Sequence, residues 1–414
     1  MSEIRQHLKT ILISFYSILK VIFRNWHIRK VLNFSNFLKL CFLYSAFLIW
    51  IILFEIDYSK HFWTNLVKGN FSERKFSLYS VHDRIGEGIL YDRIVIIADK
   101  LGYDYSGIKF SESLSHFWLT SHFYKVSTSI INYIFRPQFN LAVTHHVNIL
   151  PFGYNITYLN MPLDSLFSSS GKFLKVWEHL NDYDAYVDLH SLVHGNNELL
   201  EKIIQKTDQN KPIIPLYFAE GKEEYVDVSI DKALITGTLW GCNRESLRLV
   251  QSLKKLANDG LLVGIGIERY LGFLGKAYLG KMEDFGNPLE NLRLQQQKYG
   301  IALIIHNQEH MLEGIPTSRI AEAVTSGALV ISDQNGFLKK FFSDSILYYD
   351  AFASTQQIYD TIKSHINWAK ANPDEAHLKA KQAYQIFMDN FTIENQLEKL
   401  FALTLLFATE PNNP

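Results

Sequence analysis

From residue 75 onward, short apolar runs alternate with longer stretches whose apolar positions recur every three to four residues. Short runs predict buried strands, and the 3.6-residue recurrence predicts amphipathic helices. Strands are predicted at 75–82, 105–111, 139–144, 155–160, 185–189 and 212–218, with helices at 89–101, around 176–180 and at 197–206. A polar stretch at 220–231 interrupts this series. A second series then begins, with strands at 233–238, 261–267, 301–306 and 328–332 and helices at 244–257, 288–298 and 319–325. Helical patterns at 356–371, 374–389 and 393–407 close it. Alternating strands and helices imply mostly parallel sheets covered on both faces. The body is therefore predicted to be α/β, with two Rossmann-like, doubly wound domains. No period of 20–50 residues recurs, which excludes a solenoid.

The head of the chain has a different pattern. Residues 40–54, LCFLYSAFLIWIILF, carry no charge, and extension back to residue 31 adds only Lys39. A bilayer core takes about 20 apolar residues in a helix, and a lysine stem can snorkel to the surface. Residues 10–19 form a second uncharged run, suited to the bilayer interface. A helical membrane anchor is thus expected, with contact to lipid through residues 8–55; the alternative is a helical hairpin buried against the body. A cleaved signal peptide fits poorly, because the apolar run starts late and no small-residue cleavage site follows. A single span would place the body outside the cytosol, since basic residues precede it and Glu55 and Asp57 follow. A hairpin or in-plane anchor keeps the body cytosolic, and a membrane-associated cytosolic body is the expectation. The predicted units are 1–70 for the anchor, 71–219 for the first domain and 220–414 for the second.

Charge sharpens this division. The net charge is −1. Residues 1–39 hold seven basic side chains and one acid, or +6, and the remainder holds 34 basic and 41 acidic, or −7. A body of that sign argues against nucleic acid as a partner. Only two cysteines occur, Cys41 and Cys242, which excludes a disulfide framework and a cysteine-based zinc site.

Candidate chemistry gathers where the predicted strands end, because open α/β sheets bind ligands outside the carboxyl ends of their strands. In the first domain these places hold His145, His146, His190 and a loop with Gly86 and Gly88. The glycines would let the chain approach a ligand closely or simply turn. In the second domain the informative stretch is 307–336, NQEHMLEGIPTSRIAEAVTSGALVISDQNG. Thr317, Ser318 and Arg319 open a predicted helix there, so backbone N–H groups and the helix dipole favour an anion such as a diphosphate. Arg319 adds a forked donor for phosphate. Glu322, about one turn on, can accept two hydrogen bonds from a ribose diol. The plainer alternative is a capped helix with a surface Glu–Arg pair. Glu309 and His310 suit solvent as well as a site. Asp182 and Asp184 spell a D-x-D metal motif, but they sit in a helix-to-strand turn, and no metal site is expected.

The string from Glu313 to Asp333, EGIPTSRIAEAVTSGALVISD, resembles the donor-binding segment of GT-B glycosyltransferases, and most resembles a bacterial group of retaining type. The resemblance implies that Glu322 binds the nucleotide ribose. It places Gly314, Thr317, Ser318 and Arg319 at the diphosphate and sugar, with Glu313 beside them. Many members space two glutamates eight apart; here Glu313 and Glu322 are nine apart. The stretch from Gly237 to Arg244, GTLWGCNR, resembles the element that steadies the leaving diphosphate. Arg244, Arg319 and His145 are then the candidate catalytic residues. Gly86, Gly88 and His190 are candidate donor contacts from the first domain. The implied activity is transfer of a sugar, with retention, from a nucleotide-diphosphate sugar to a glycan, lipid or protein acceptor. No cofactor and no metal are expected. The alternatives are a non-catalytic scaffold on the same fold and a sugar-nucleotide epimerase.

Overall fold

The computed structural model describes residues 55–59, 65, 72–81, 85–110, 135–143, 153–159, 180, 182–205, 211–219, 224–237, 246–281, 284 and 288–409. These residues build two sheets. The first contains β1 (Glu55–Tyr58), β2 (Lys75–Val81), β3 (Asp104–Phe110), β4 (Phe139–Ala142), β5 (Tyr154–Leu159), β6 (Ala185–Asp188) and β7 (Ile213–Ile214). Their spatial order is β1-β3-β2-β4-β5-β6-β7. β1 runs antiparallel to β3, and the other pairs are parallel. Helices α1 (Ile85–Leu101), α2 (Leu189–His194) and α3 (Glu198–Gln205) belong to this half.

The second sheet contains β8 (Lys232–Gly237), β9 (Leu262–Gly266), β10 (Tyr278–Gly280), β11 (Gly300–Ile304), β12 (Leu329–Asp333) and β13 (Leu347–Tyr349). It is parallel throughout, in the order β10-β9-β8-β11-β12-β13. Its helices are α4 (Ser246–Asn258), α5 (Glu268–Leu271), α6 (Pro288–Tyr299), α7 (Gln308–Leu312), α8 (Arg319–Thr325), α9 (Gly336–Phe342), α10 (Thr355–Ala371) and α11 (Pro373–Asn390). Numbered within the domain, the strand order is 3-2-1-4-5-6, the dinucleotide-binding arrangement, and it reverses between β8 and β11. In the first sheet the reversal falls between β2 and β4.

The near-continuous apolar runs of the second sheet follow from burial on both faces. Alternate residues then point to opposite layers. Ile301, Leu303, Leu329 and Ile331 join Leu253, Leu256, Ile358, Ile362 and Ile366 from α4 and α10. Ala302, Ile304 and Val330 join Ile320, Ala323 and Val324 from α8. That second layer continues without a break into the first domain, through Tyr217, Phe218, Phe337 and Phe391. α10 starts with a capping box between Ser354 and Gln357, and α11 has Pro373 in its first turn.

The last helix, α12 (Ile393–Thr409), leaves the second domain and covers the first. Its Phe401 packs 4.9 Å from Phe139 and 6.0 Å from Phe76, centroid to centroid. Burial of such a side chain contributes about 1.5–3 kcal/mol. Arg74 pairs with Glu398 at 2.8 Å, and the Tyr103 hydroxyl donates to the same carboxylate. The outgoing and returning strands meet: Ile393 N donates to Ala219 O at 2.9 Å, and Ala219 N to Phe391 O at 3.3 Å.

Several expectations change. Of the anchor expected over 1–70, residues 1–54 lie outside the described residues; among the described residues, no helix is long and apolar enough to cross a membrane. Glu55–Tyr58, within the stretch assigned to the anchor, forms an edge strand of the first sheet. Gly86 and Gly88 lie in the opening turns of α1 and not in a loop. Glycine weakens a helix by about 1 kcal/mol, but α1 buries Tyr91, Ile94, Ile97 and Ala98, which offsets that loss. The strand predicted at 212–218 is only Ile213–Ile214. Asp184 accepts the Asn155 N–H at 2.7 Å, so it fastens the turn into β6.

Candidate functional site

The carboxyl ends of β8 and β11 flank the reversal point of the second sheet. β8 ends at Gly237, whose φ of 93° favours glycine. A Cβ there would lie 3.3 Å from the Arg319 guanidinium carbon, so the missing side chain lets Arg319 lie against the strand end. Arg319 Nη1 donates to the Thr236 carbonyl at 2.8 Å. Burial lowers the pKa of this guanidinium, while Glu322 and Asp333 favour its charged form. The structure thus brings Gly237 and Arg319 together, and Arg319 braces the β8 end.

β11 leads into a tightly fixed loop. Asn307 caps α7 by accepting the His310 N–H at 2.7 Å. Asn335, buried at the head of α9, donates to His310 O at 3.0 Å and Ile315 O at 3.1 Å. Between these anchors Gly314 takes a φ of 69°, and a Cβ there would lie 2.9 Å from Val193 Cγ1 on α2. The first domain therefore touches the loop directly. His190 Nε2 lies 2.9 Å from Glu313 Oε2, and His194 Nε2 lies 3.1 Å from Glu313 O. Lys340 on α9 donates to Leu192 O and Val193 O at 3.0 and 2.8 Å, which caps the C-terminal end of α2. The Tyr217 hydroxyl reaches Thr317 O at 3.3 Å.

Glu322 is the one acid on α8, among buried Ile320, Ala321, Ala323 and Val324. Arg93 Nη2, from α1 of the first domain, lies 3.1 Å from its Oε1. The two side chains are 6% and 13% exposed, so the pair is largely out of water. Behind the loop, Asp333 accepts the His306 N–H at 2.7 Å, and its other oxygen lies 2.8 Å from His306 Nδ1. Desolvation, helped by His306, lowers the His310 pKa to about 4, so this ring is neutral near pH 7. His306 Nε2, His310 Nδ1 and Thr317 Oγ1 are buried with no hydrogen-bond partner among the described residues. Buried polar atoms normally find partners, so this set suits the polar groups of a bound ligand.

Glu313, Gly314, Thr317, Ser318, Arg319, Glu322, Gly237 and His190 therefore share one region. His194 joins them. Gly86 and Gly88 do not, because they belong to the start of α1; a Cβ on Gly88 would meet nothing within 4 Å. Arg244, His145 and His146 lie outside the described residues. Sequence reasoning missed Arg93, Tyr217, His306 and Asp333. The only signal for Arg93 was a charge inside the apolar run ILYDRIVII.

With this geometry in place, comparisons with known proteins give a matching segment and a fold. Residues 282–402 match a family described as glycosyl transferase-like. No curated protein matches the chain in sequence. The sucrose-phosphate synthase of Thermosynechococcus elongatus is similar in structure, with a TM-score of 0.55 at 11% identity, over 82% of this chain and 100% of that one. A glycosyltransferase from Rickettsia africae gives 0.51 at 12%, over 82% and 100%. Anabaena Alr3699/HepE, solved in complex with UDP-glucose, gives 0.51 at 12%, over 80% and 99%. At such identities the likeness establishes the fold: two parallel-sheet α/β domains in the GT-B arrangement.

Proposed function

We propose that this chain, with a glycosyl transferase-like segment at 282–402 on a GT-B fold, transfers a sugar from a nucleotide-diphosphate donor to an acceptor, with retention. The observation that carries this reading is the position of the family-matched segment. Its Glu313, Gly314, Thr317 and Glu322 line the reversal point between β8 and β11, where doubly wound sheets bind nucleotides. Glu322 takes the ribose diol. Glu313, with His190 beside it, faces the sugar hydroxyls. Gly314, Thr317 and Ser318 offer backbone and hydroxyl groups to the diphosphate. Arg319 holds the end of β8, from which the loop to Arg244 departs, and the two arginines steady the leaving diphosphate as its charge develops. His145, which follows β4 in the sequence, is assigned to the donor sugar or the acceptor. No metal is required for these roles.

An acceptor at a lipid surface suits an apolar, basic head over residues 8–55, with the body on the cytosolic side. The test is a thermal-shift and donor-hydrolysis panel on the full chain with UDP-, GDP-, ADP- and TDP-sugars. A bound donor stabilises the fold by about 2.7 kcal/mol at a concentration 100-fold above Kd. At least one donor should raise Tm and be slowly hydrolysed, and Glu322→Ala should weaken its binding about 10- to 100-fold, the worth of a hydrogen bond to a charged group. If no donor shifts the wild type, the chain is a scaffold on this fold. Turnover to an isomeric sugar nucleotide without an acceptor would make it an epimerase.

A further inference from the structure

Glu322 stands alone as an acid on an apolar helix, and its carboxylate is met by a cation from the other domain. Arg93 Nη2 lies 3.1 Å from Glu322 Oε1, with both side chains almost fully covered. Arg319, one turn earlier on α8, acts electrostatically on the same carboxylate. The buried Tyr217 hydroxyl feels both Arg93 and Glu322 and donates to Thr317 O in the donor loop. A carboxylate in such apolar surroundings needs a partner to stay ionised, and a planar guanidinium also fixes its orientation. Glu322 is the residue assigned to the nucleotide ribose, and the group that orients it comes from α1.

We propose that Arg93 is a positioning residue of the donor site. It holds Glu322 aligned for the two ribose hydroxyls, so ribose recognition depends on the two domains standing together as they do here. Separation of the domains would remove Arg93 and leave Glu322 without that partner. By linkage, a nucleotide that uses Glu322 then favours the joined arrangement by the same factor by which the joined arrangement favours it. This proposal rests on the glycosyltransferase reading of the same site.

The alternative is that Arg93 only clasps the domains. The two differ in how the protein tells ribose from deoxyribose. The experiment measures Kd on the full chain for UDP, ADP and GDP and for their 2′-deoxy counterparts, in wild type, Arg93→Met and Arg93→Lys. The wild type should bind its preferred diphosphate about tenfold or more tighter than the 2′-deoxy form, because one hydroxyl on Glu322 is lost. Arg93→Met should bring that ratio close to 1, by weakening the ribonucleotide and hardly touching the deoxynucleotide. Arg93→Lys keeps the charge without the fork and should fall between. If Arg93→Met and Arg93→Lys keep the wild-type ratio, Arg93 is a clasp only and the proposal fails while the donor site stands. If Arg93→Met does not fold, the Arg93→Lys ratio decides alone: an unchanged ratio overturns the proposal and a reduced one supports it. A wild type that binds a diphosphate without discriminating its 2′-deoxy form removes Glu322 from the ribose and overturns the proposal too. A wild type that binds none of UDP, ADP, GDP and TDP overturns the glycosyltransferase reading itself.

Discussion

The two sheets handle buried polar groups in opposite ways. In the second sheet, the buried polar strand residues among those described are Thr236, Ser332 and Asp333, each in the last two positions of its strand. The interior is Leu, Ile, Val and Ala. In the first sheet, polar residues are buried along the strands, at Ser77, Ser80, Ser106, Asn140 and Thr157 among others. Ser77, Ser106 and Asn140 meet polar partners across strands in matched register, whereas Ser80 Oγ and Thr157 Oγ1 have no hydrogen-bond partner among the described residues. Ser77 stands opposite Ser106, with their hydroxyls 2.9 Å apart. Asn140 stands opposite Asn155 and donates to it at 3.2 Å. The second sheet is a dry platform that carries its chemistry on one edge. The first places hydrogen bonds where a slipped register would leave polar groups unpaired. Where interior polar residues pair they fix the register, and polar content at the carboxyl edge of the second sheet marks the site.

The strongest test of this contrast is at the edge of the dry sheet. Asp333 and His306 are 1% and 0% exposed in their side chains, and removal of one member of a buried pair costs about 3–5 kcal/mol. Asp333→Ala should lower stability in urea melts by that amount. A loss below about 1 kcal/mol would mean that the edge is wet and loosely held.

The next effect is pH-dependent. His310 has a folded pKa of about 4, below its ordinary 6.5, mainly through desolvation. The unfolded chain therefore takes up a proton that the folded protein refuses, and stability falls as pH drops from about 6.5 towards 4. The lowered pKa corresponds to about 3 kcal/mol at most. Urea melts across this range should show the slope in wild type and a flatter profile in His310→Gln. An unchanged slope would place the proton uptake elsewhere.

The smallest effect belongs to the polar sheet. Ser77→Ala strands part of the Ser106 hydroxyl and should cost about 1 kcal/mol, while the Ser77→Ala, Ser106→Ala double variant should sit close to wild type. Thermal melts of both singles and the double decide this. A double variant worse than either single would show that the hydroxyls set the register and are not merely satisfied by it.

The same contrast explains what was legible in the sequence. Helix α8 was anticipated at its own bounds, 319–325, because its apolar face, its flanking Gly314 and Gly327 and the following strand all agree locally. Glu313 to Glu322 was equally visible, since one short stretch carries it. Gly86 and Gly88 misled, because glycine usually punctuates turns and here the burial of Tyr91 and Ile94 outweighs its low helix propensity. β1 was hidden in the wake of the apolar head; its partner β3 lies about fifty residues on. Arg93 meets Glu322 across 229 positions, and no local pattern tells a buried arginine which acid it will face. His306 and Asp333 are 27 apart and meet only because β11 and β12 pair with Ile304 beside Ser332.

The meeting of the outgoing and returning chain at Ala219 and Thr392 has a mechanical consequence. Two attachments side by side behave as a single pin. A body held by one pin turns about it and does not slide away. Arg93 and Glu322, 3.1 Å apart, add a polar tie beside the apolar layer shared by the two domains, so the seam is held in more than one place.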